Sequence, residues 1–135
     1  MTPEENDKIK SLTNRSEIFN HVVEHLRRQG KESKLTNHAG GYDCAYRGDG
    51  GTMCAVGCLI ADDEYDPTWE GRVIGTLLKD CILPRSLHKR LLPHEEMLCY
   101  LQYFHDCELI YEDGIFSKTT EDHLTELRNQ WEISE

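Results

Sequence analysis

The sequence predicts a mainly α-helical domain with one small β-hairpin, an α+β fold in a single compact unit. Apolar residues recur with helical period in NRSEIFNHVVEHLRRQG, in HEEMLCYLQYFHDCEL and again near the end of the chain. The stretch CAYRGDGGTMCAVGCLI packs glycines around Asp49, as tight turns require. With 135 residues the chain suits one core, and 38% hydrophobic against 30% charged residues describes a folded domain with a wet surface.

Residues 1–13 are polar and read as a flexible N-terminal segment, leaving 14–135 as the globular domain. Asn14 caps the first helix, with Glu17 three residues on as in a capping box. Ile18, Phe19, Val22, Val23 and Leu26 form its inner stripe, Arg27 and Arg28 suit its carboxyl end, and Gly30 closes it. Residues 31–43 read as a loop. Cys44–Arg47 and Thr52–Cys54 are then expected to pair as a hairpin across Gly48–Gly51, with positive φ at Gly50 or Gly51.

CAVGCLIA follows as a short buried helix carrying Ala55, Cys58, Leu59 and Ile60, and Asp62, Asp63 and Glu64 open the next turn. Asp66 caps a helix start with Pro67 in first position, and Gly71 and Gly75 keep that helix short. Leu77, Leu78, Cys81, Ile82 and Leu83 form an apolar cluster. Pro93 opens a longer helix with Leu98, Leu101 and His105 on one face, and Cys81, Cys99 and Cys107 read as core thiols. The pattern over 110–116 is ambiguous around Asp113-Gly114. A last helix from Thr119 or Thr120 is expected to bury Leu124, Leu127 and Trp131.

Charge narrows the function. The net value is −10, with six acids against seven bases in residues 1–40 and nineteen against eight thereafter. Such a surface repels phosphate backbones, which disfavours direct nucleic-acid binding and favours a protein partner with a basic surface. MTPEENDKIK holds no apolar leader core and no run reaches membrane-spanning length, so a cytoplasmic location without membrane contact is expected. Cysteines there are thiols or ligands rather than disulfides.

Two constellations could carry chemistry. Cys54 and Cys58 stand four apart, as do His21 and His25, so Cys44, Cys54, Cys58 and His25 form a candidate zinc set. The Cys-x9-Cys-x3-Cys spacing fits no common knuckle, and packing explains these residues better. Cys54 also sits where a strand should give way to a helix, a position that can lower a thiol pKa. His105 followed by Asp106 would supply a base and its orienting acid, giving a candidate catalytic set. Gly48–Gly51 lacks a P-loop ending and reads as a turn.

These residues carry a resemblance. His25-Leu26 with Gln29, CAYRGDGG, CAVGCLI, DDEYDPTWEG and LQYFHD resemble a family of small uncharacterised proteins encoded by bacteriophages, prophages and bacteria. The likeness covers roughly residues 15–107 and is densest over Cys44–Gly71. It implies that Cys44, Arg47, Cys54, Gly57, Cys58, Tyr65, Glu70, Gln102, His105 and Asp106 match the family pattern, while the sequence after Asp106 departs from it. A phage-type accessory role is what the resemblance implies, and it brings no activity with it.

The expectation is therefore a small acidic accessory protein that binds a basic partner, inhibiting a host or defence protein or mimicking nucleic acid. Arg47, Asp62, Asp63, Glu64, Tyr65, Glu70 and Gln102 are the candidate binding residues, and no cofactor is required. The alternatives are a cysteine hydrolase or transferase using Cys54, His105 and Asp106, and a zinc-stabilised binding module.

Overall fold

A computed structural model describes residues 1–36 and 42–134. Helix α1 (Pro3–Ser11) starts from Thr2, whose hydroxyl accepts from Glu5 N–H, and it buries Ile9. The first thirteen residues thus contribute a capped helix to the packed body. Helix α2 (Arg15–Gln29) runs between Asn14 and Gly30. The Asn14 side chain accepts from Glu17 N–H at 2.8 Å, and Gly30 takes φ 69° as its N–H bonds Leu26 O. Its five stripe residues are all buried.

The hairpin lies earlier than expected. Strands β1 (Lys34–Thr36) and β2 (Tyr42–Cys44) pair antiparallel, Lys34 opposite Cys44 and Thr36 opposite Tyr42. Residues 37–41 of the anticipated loop lie outside the described residues. The expected pairing of Cys44–Arg47 with Thr52–Cys54 does not form. Gly48 N–H bonds Thr52 O, and Asp49–Gly51 winds as a 3-10 turn between them. Gly50 and Gly51 do take positive φ, 71° and 76°. Glycine-rich sequence encodes that backbone bend, but it does not choose which strands flank it.

From Ala45 to Gly71 the chain has little regular structure. A buried 3-10 turn at Gly57–Leu59 stands for the short helix, and another at Pro67–Trp69 is capped by Asp66. Helices α3 (Ile74–Lys79), α4 (Arg85–Leu91) and α5 (Glu95–Tyr103) follow, with a 3-10 turn at Leu92–His94 before α5. Phe104–Glu108 continues α5 as a π turn. A second hairpin, β3 (Tyr111–Glu112) and β4 (Ile115–Phe116), turns at Asp113-Gly114. Helix α6 (Lys118–Gln130) starts at Ser117 and buries Leu124 and Leu127, with Trp131 partly buried.

One core joins these elements, from Leu12 and α2 through Val56 and Ile60 to Leu98 and Leu127. The fold is mainly α with small antiparallel hairpins, in one compact domain. Cys81, Cys99 and Cys107 are not core thiols: all three are exposed. Cys81 ends α3 in a left-handed conformation (φ 52°), while Cys99 and Cys107 fall on the outer side of α5 and its π turn. Among the described residues no helix is long and apolar enough to cross a membrane.

Candidate functional site

The residues singled out between Cys44 and Gly71 hold an irregular backbone in place. Glu70 is the hub. Its Oε1 accepts from Tyr46 N–H at 2.9 Å, and its Oε2 accepts from Arg47 N–H at 3.0 Å and from the Tyr65 hydroxyl. The Arg47 guanidinium donates to Ile60 O, pairs with Asp62 at 3.1 Å and lies over the Tyr65 ring. Glu64 is buried: it accepts from Ala61 N–H and pairs with Arg90, whose side chain is 12% exposed. Asp63 is exposed and paired with Lys10. Gln102 accepts from Ile74 N–H and donates to the Tyr46 hydroxyl at 3.4 Å. These candidate binding residues are largely committed to internal contacts.

The histidine pair of α2 acts in the same way. His21 Nε2 donates to Cys58 O at 3.3 Å, and His25 Nε2 donates to Met53 O at 3.1 Å. One turn further, Gln29 donates to Met53 O and accepts from Met53 N–H. The four-residue spacing thus builds a ladder that satisfies buried backbone groups. Burial holds both imidazoles below their ordinary value of 6.5, opposed by these carbonyl bonds.

A different set surrounds a cavity of about 370 Å³, bordered by Cys44, Tyr46, Cys54, Gln102 and Asp106, with Gly71–Val73 as one wall. Asp106 reaches it from the π turn, a geometry that adds a residue to a helical turn and often marks functional sites. Behind it stands His105, fully buried. Ser33 N–H donates to His105 Nε2 at 3.0 Å, so that nitrogen carries no proton while the bond stands. The proton sits on Nδ1, which donates to Asp106 Oδ1 at 2.8 Å. The Cys44 sulfur stands beside this pair, within 4.8 Å of the Asp106 carboxylate and the His105 ring. Ser33, His105 and Asp106 therefore form a continuous chain, with Cys44 beside its carboxylate end.

Both thiols bordering the cavity are held protonated. Burial, then the neighbouring Asp106 charge, pushes Cys44 up to about 12. Burial likewise pushes Cys54 up to about 12, against hydrogen bonds to its sulfur from Gly57 and Val56 N–H. Cys58 is also raised by burial. Cys54 and Asp106 border the same cavity, and the sulfur grouped with Asp106 and His105 is that of Cys44.

Among the described residues, the donor atoms of Cys44, His105 and Asp106 all lie within 4.8 Å of one another. This trio shares only Cys44 with the zinc set read from spacing, whose His25 instead caps Met53 O. Thiol, imidazole and carboxylate are zinc-type donors. A metal on Nδ1 would nevertheless need that proton removed while Ser33 N–H still occupies Nε2, leaving an imidazolate. The ring is arranged as a donor to Asp106.

Ser33 and Tyr46 escaped sequence reasoning. Ser33 acts through its backbone N–H, which has no side-chain signature, and its hydroxyl donates to Ala45 O. Tyr46 sits within the quoted motif, but its role depends on Arg72 O, the acceptor of its hydroxyl at 2.6 Å. Comparison with family models, curated proteins and solved structures finds no match to the chain. Fold and site define the class as far as a small α+β domain with a polar cavity beside Asp106.

Proposed function

We propose that this is an acidic accessory protein, of the phage-encoded type that its sequence resembles, which works by binding a protein partner with a basic surface. The observation that carries the reading is the chain Ser33–His105–Asp106, which closes both nitrogens of the histidine beside the Cys44 thiol. Both His105 nitrogens are engaged, so the ring offers no free lone pair to a thiol. A nucleophilic cysteine needs such a base or a lowered pKa. The two thiols at the pocket have pKa values raised to about 12 instead.

The acidic surface supports the choice of partner. Glu96, Asp106, Glu112, Asp113 and Glu126 are exposed, in a chain of net charge −10. Their field would draw in a basic surface, and it would suit an inhibitor that stands in for nucleic acid.

Site-resolved alkylation with iodoacetamide over a pH series tests binding against turnover. Exposed Cys81, Cys99 and Cys107 are expected to react first, with Cys44 and Cys54 slow below pH 9. Selective labelling of Cys44 or Cys54 near pH 6.5, lost in a folded His105→Ala variant, would replace this reading with a cysteine enzyme.

A further inference from the structure

The cavity beside Asp106 carries two charges of opposite sign. Asp106 and Arg72 both border it, and both are exposed. They are not paired with each other. Among the described residues the ion-pair partner of Asp106 is His105, and the Arg72 guanidinium has none. The carboxylate is held in place, because the fully buried His105 donates to its Oδ1 through Nδ1. Its second oxygen keeps accepting capacity, and the Arg72 N–H groups keep theirs to donate.

The neutral polar side chains of the wall are turned inward. The Tyr46 hydroxyl donates to Arg72 O, while Gln102 donates to that hydroxyl and accepts from Ile74 N–H. What the cavity offers a ligand is thus one anionic and one cationic pole. A lone cation would be opposed by Arg72 and a lone anion by Asp106, so neither sign by itself is selected. A molecule with both charges satisfies both poles.

Size narrows the class. With hydrogen bonds of about 2.8 Å at each end, an α-amino acid bridges a carboxylate and a guanidinium roughly 8 Å apart. A cavity of about 370 Å³ is of that width and lies at the small end of ligand sites. Val73 also borders it and is 59% exposed, an apolar surface that a ligand side chain can cover.

We propose that this cavity binds a free α-amino acid as its zwitterion, with the ammonium on Asp106, the carboxylate on Arg72 and the side chain against Val73. His105 is a positioning residue that fixes Asp106 from behind. The proposal goes beyond the protein-partner reading, which makes no use of these two charges.

The test is an amide NMR titration of the full chain with L-leucine. Beside it stand isocaproate, which lacks the ammonium, and isopentylamine, which lacks the carboxylate. Saturable shifts with leucine are expected at Ala45, Tyr46, Arg72, Val73 and Asp106. Each analogue should bind about tenfold or more weakly, the usual loss for a hydrogen-bonded charge. In Asp106→Asn the preference for leucine over isocaproate should vanish, and in Arg72→Gln the preference over isopentylamine should vanish. Asparagine still offers an oxygen to His105 Nδ1–H, and the Arg72 side chain has no partner to lose. Both variants should therefore keep native amide dispersion.

Absence of saturable shifts at millimolar leucine, an analogue that binds as well as leucine, or a preference that survives in the folded variants would overturn the proposal. The comparison of the three ligands on the unaltered chain decides it even if a variant fails to fold. Failure here leaves the protein-partner reading to the alkylation of Cys44 and Cys54, whereas a reactive Cys44 removes that reading and leaves the amino-acid site standing.

Discussion

Helix α2 and the Ala45–Gly71 stretch face each other across the core, and they are held by different means. Within α2 the backbone satisfies itself, and its ends are closed by Asn14 and Gly30. In Ala45–Gly71 many backbone groups rely on side chains, some from other elements and some, such as Glu70, from the far end of the stretch itself. Met53 is held by Gln29 and His25, Leu59 O by Arg90, Asp62 N–H by Asn6, and Tyr46 and Arg47 N–H by Glu70. A density of polar and glycine residues that looks like an active site can thus be the requirement of a buried irregular backbone.

If that contrast is right, substitutions in the irregular stretch should cost more than comparable ones in α2. The largest effect is expected at Gly57, where an added Cβ would stand 2.1 Å from Tyr46 O and 2.8 Å from its carbonyl carbon. Both atoms are backbone, so Gly57→Ala should exceed the ~3 kcal/mol usual for overpacking and leave little folded protein. A near-native melting temperature would show that the segment can move and that its backbone is not pinned.

Next comes Glu70→Gln. Its two oxygens accept from three donors, and an amide can serve only part of that set. A loss of about 2 kcal/mol is expected from the stranded donors, read by urea denaturation. A smaller loss, about 1 kcal/mol, is expected for Asn14→Ala, which removes the cap of α2 and leaves its packing intact. If Asn14→Ala proved the more damaging of the two, the contrast would be reversed.

The last effect ties the two regions together through pH. His21 and His25 have folded-state pKa values below 6.5, so as pH falls through 6.5 the unfolded chain takes up protons first. Their contribution therefore leaves stability flat above 6.5 and lowers it progressively below, until their folded values are passed. The depressed carboxylates Asp63, Asp66 and Glu121 act lower, below their ordinary values of 3.8 to 4.5. Denaturation midpoints between pH 7.5 and 5.5 should show the histidine effect, and His25→Gln, which can still donate to Met53 O, should flatten it. An unchanged pH slope would remove His25 from this role.

How much of this was legible depends on how local its cause is. The limits of α2, the Asp66 cap and the bends at Gly50 and Gly51 could all be read, because each is set by residues within a few positions. The hairpin could not, since strand pairing depends on partners that a glycine turn does not specify. Cysteine placement misled for a related reason: composition shows that a thiol can be buried, but not which side of α5 faces the core. For the site, His105 and Asp106 stood out as adjacent residues. Their meeting with Cys44 and Ser33 spans 61 and 72 residues of chain, and no spacing rule predicts it.

The sequence alone determined the helical class, the ends of α2 and the acidic charge, because periodicity, capping and net charge are properties of neighbouring or summed residues. Tertiary structure decided that Arg47, Glu64, Glu70 and Gln29 hold backbone, and that Asp106 borders a cavity. Those outcomes depend on which atoms meet across the core, and a hydrogen bond forms only where folding brings donor and acceptor within about 3 Å.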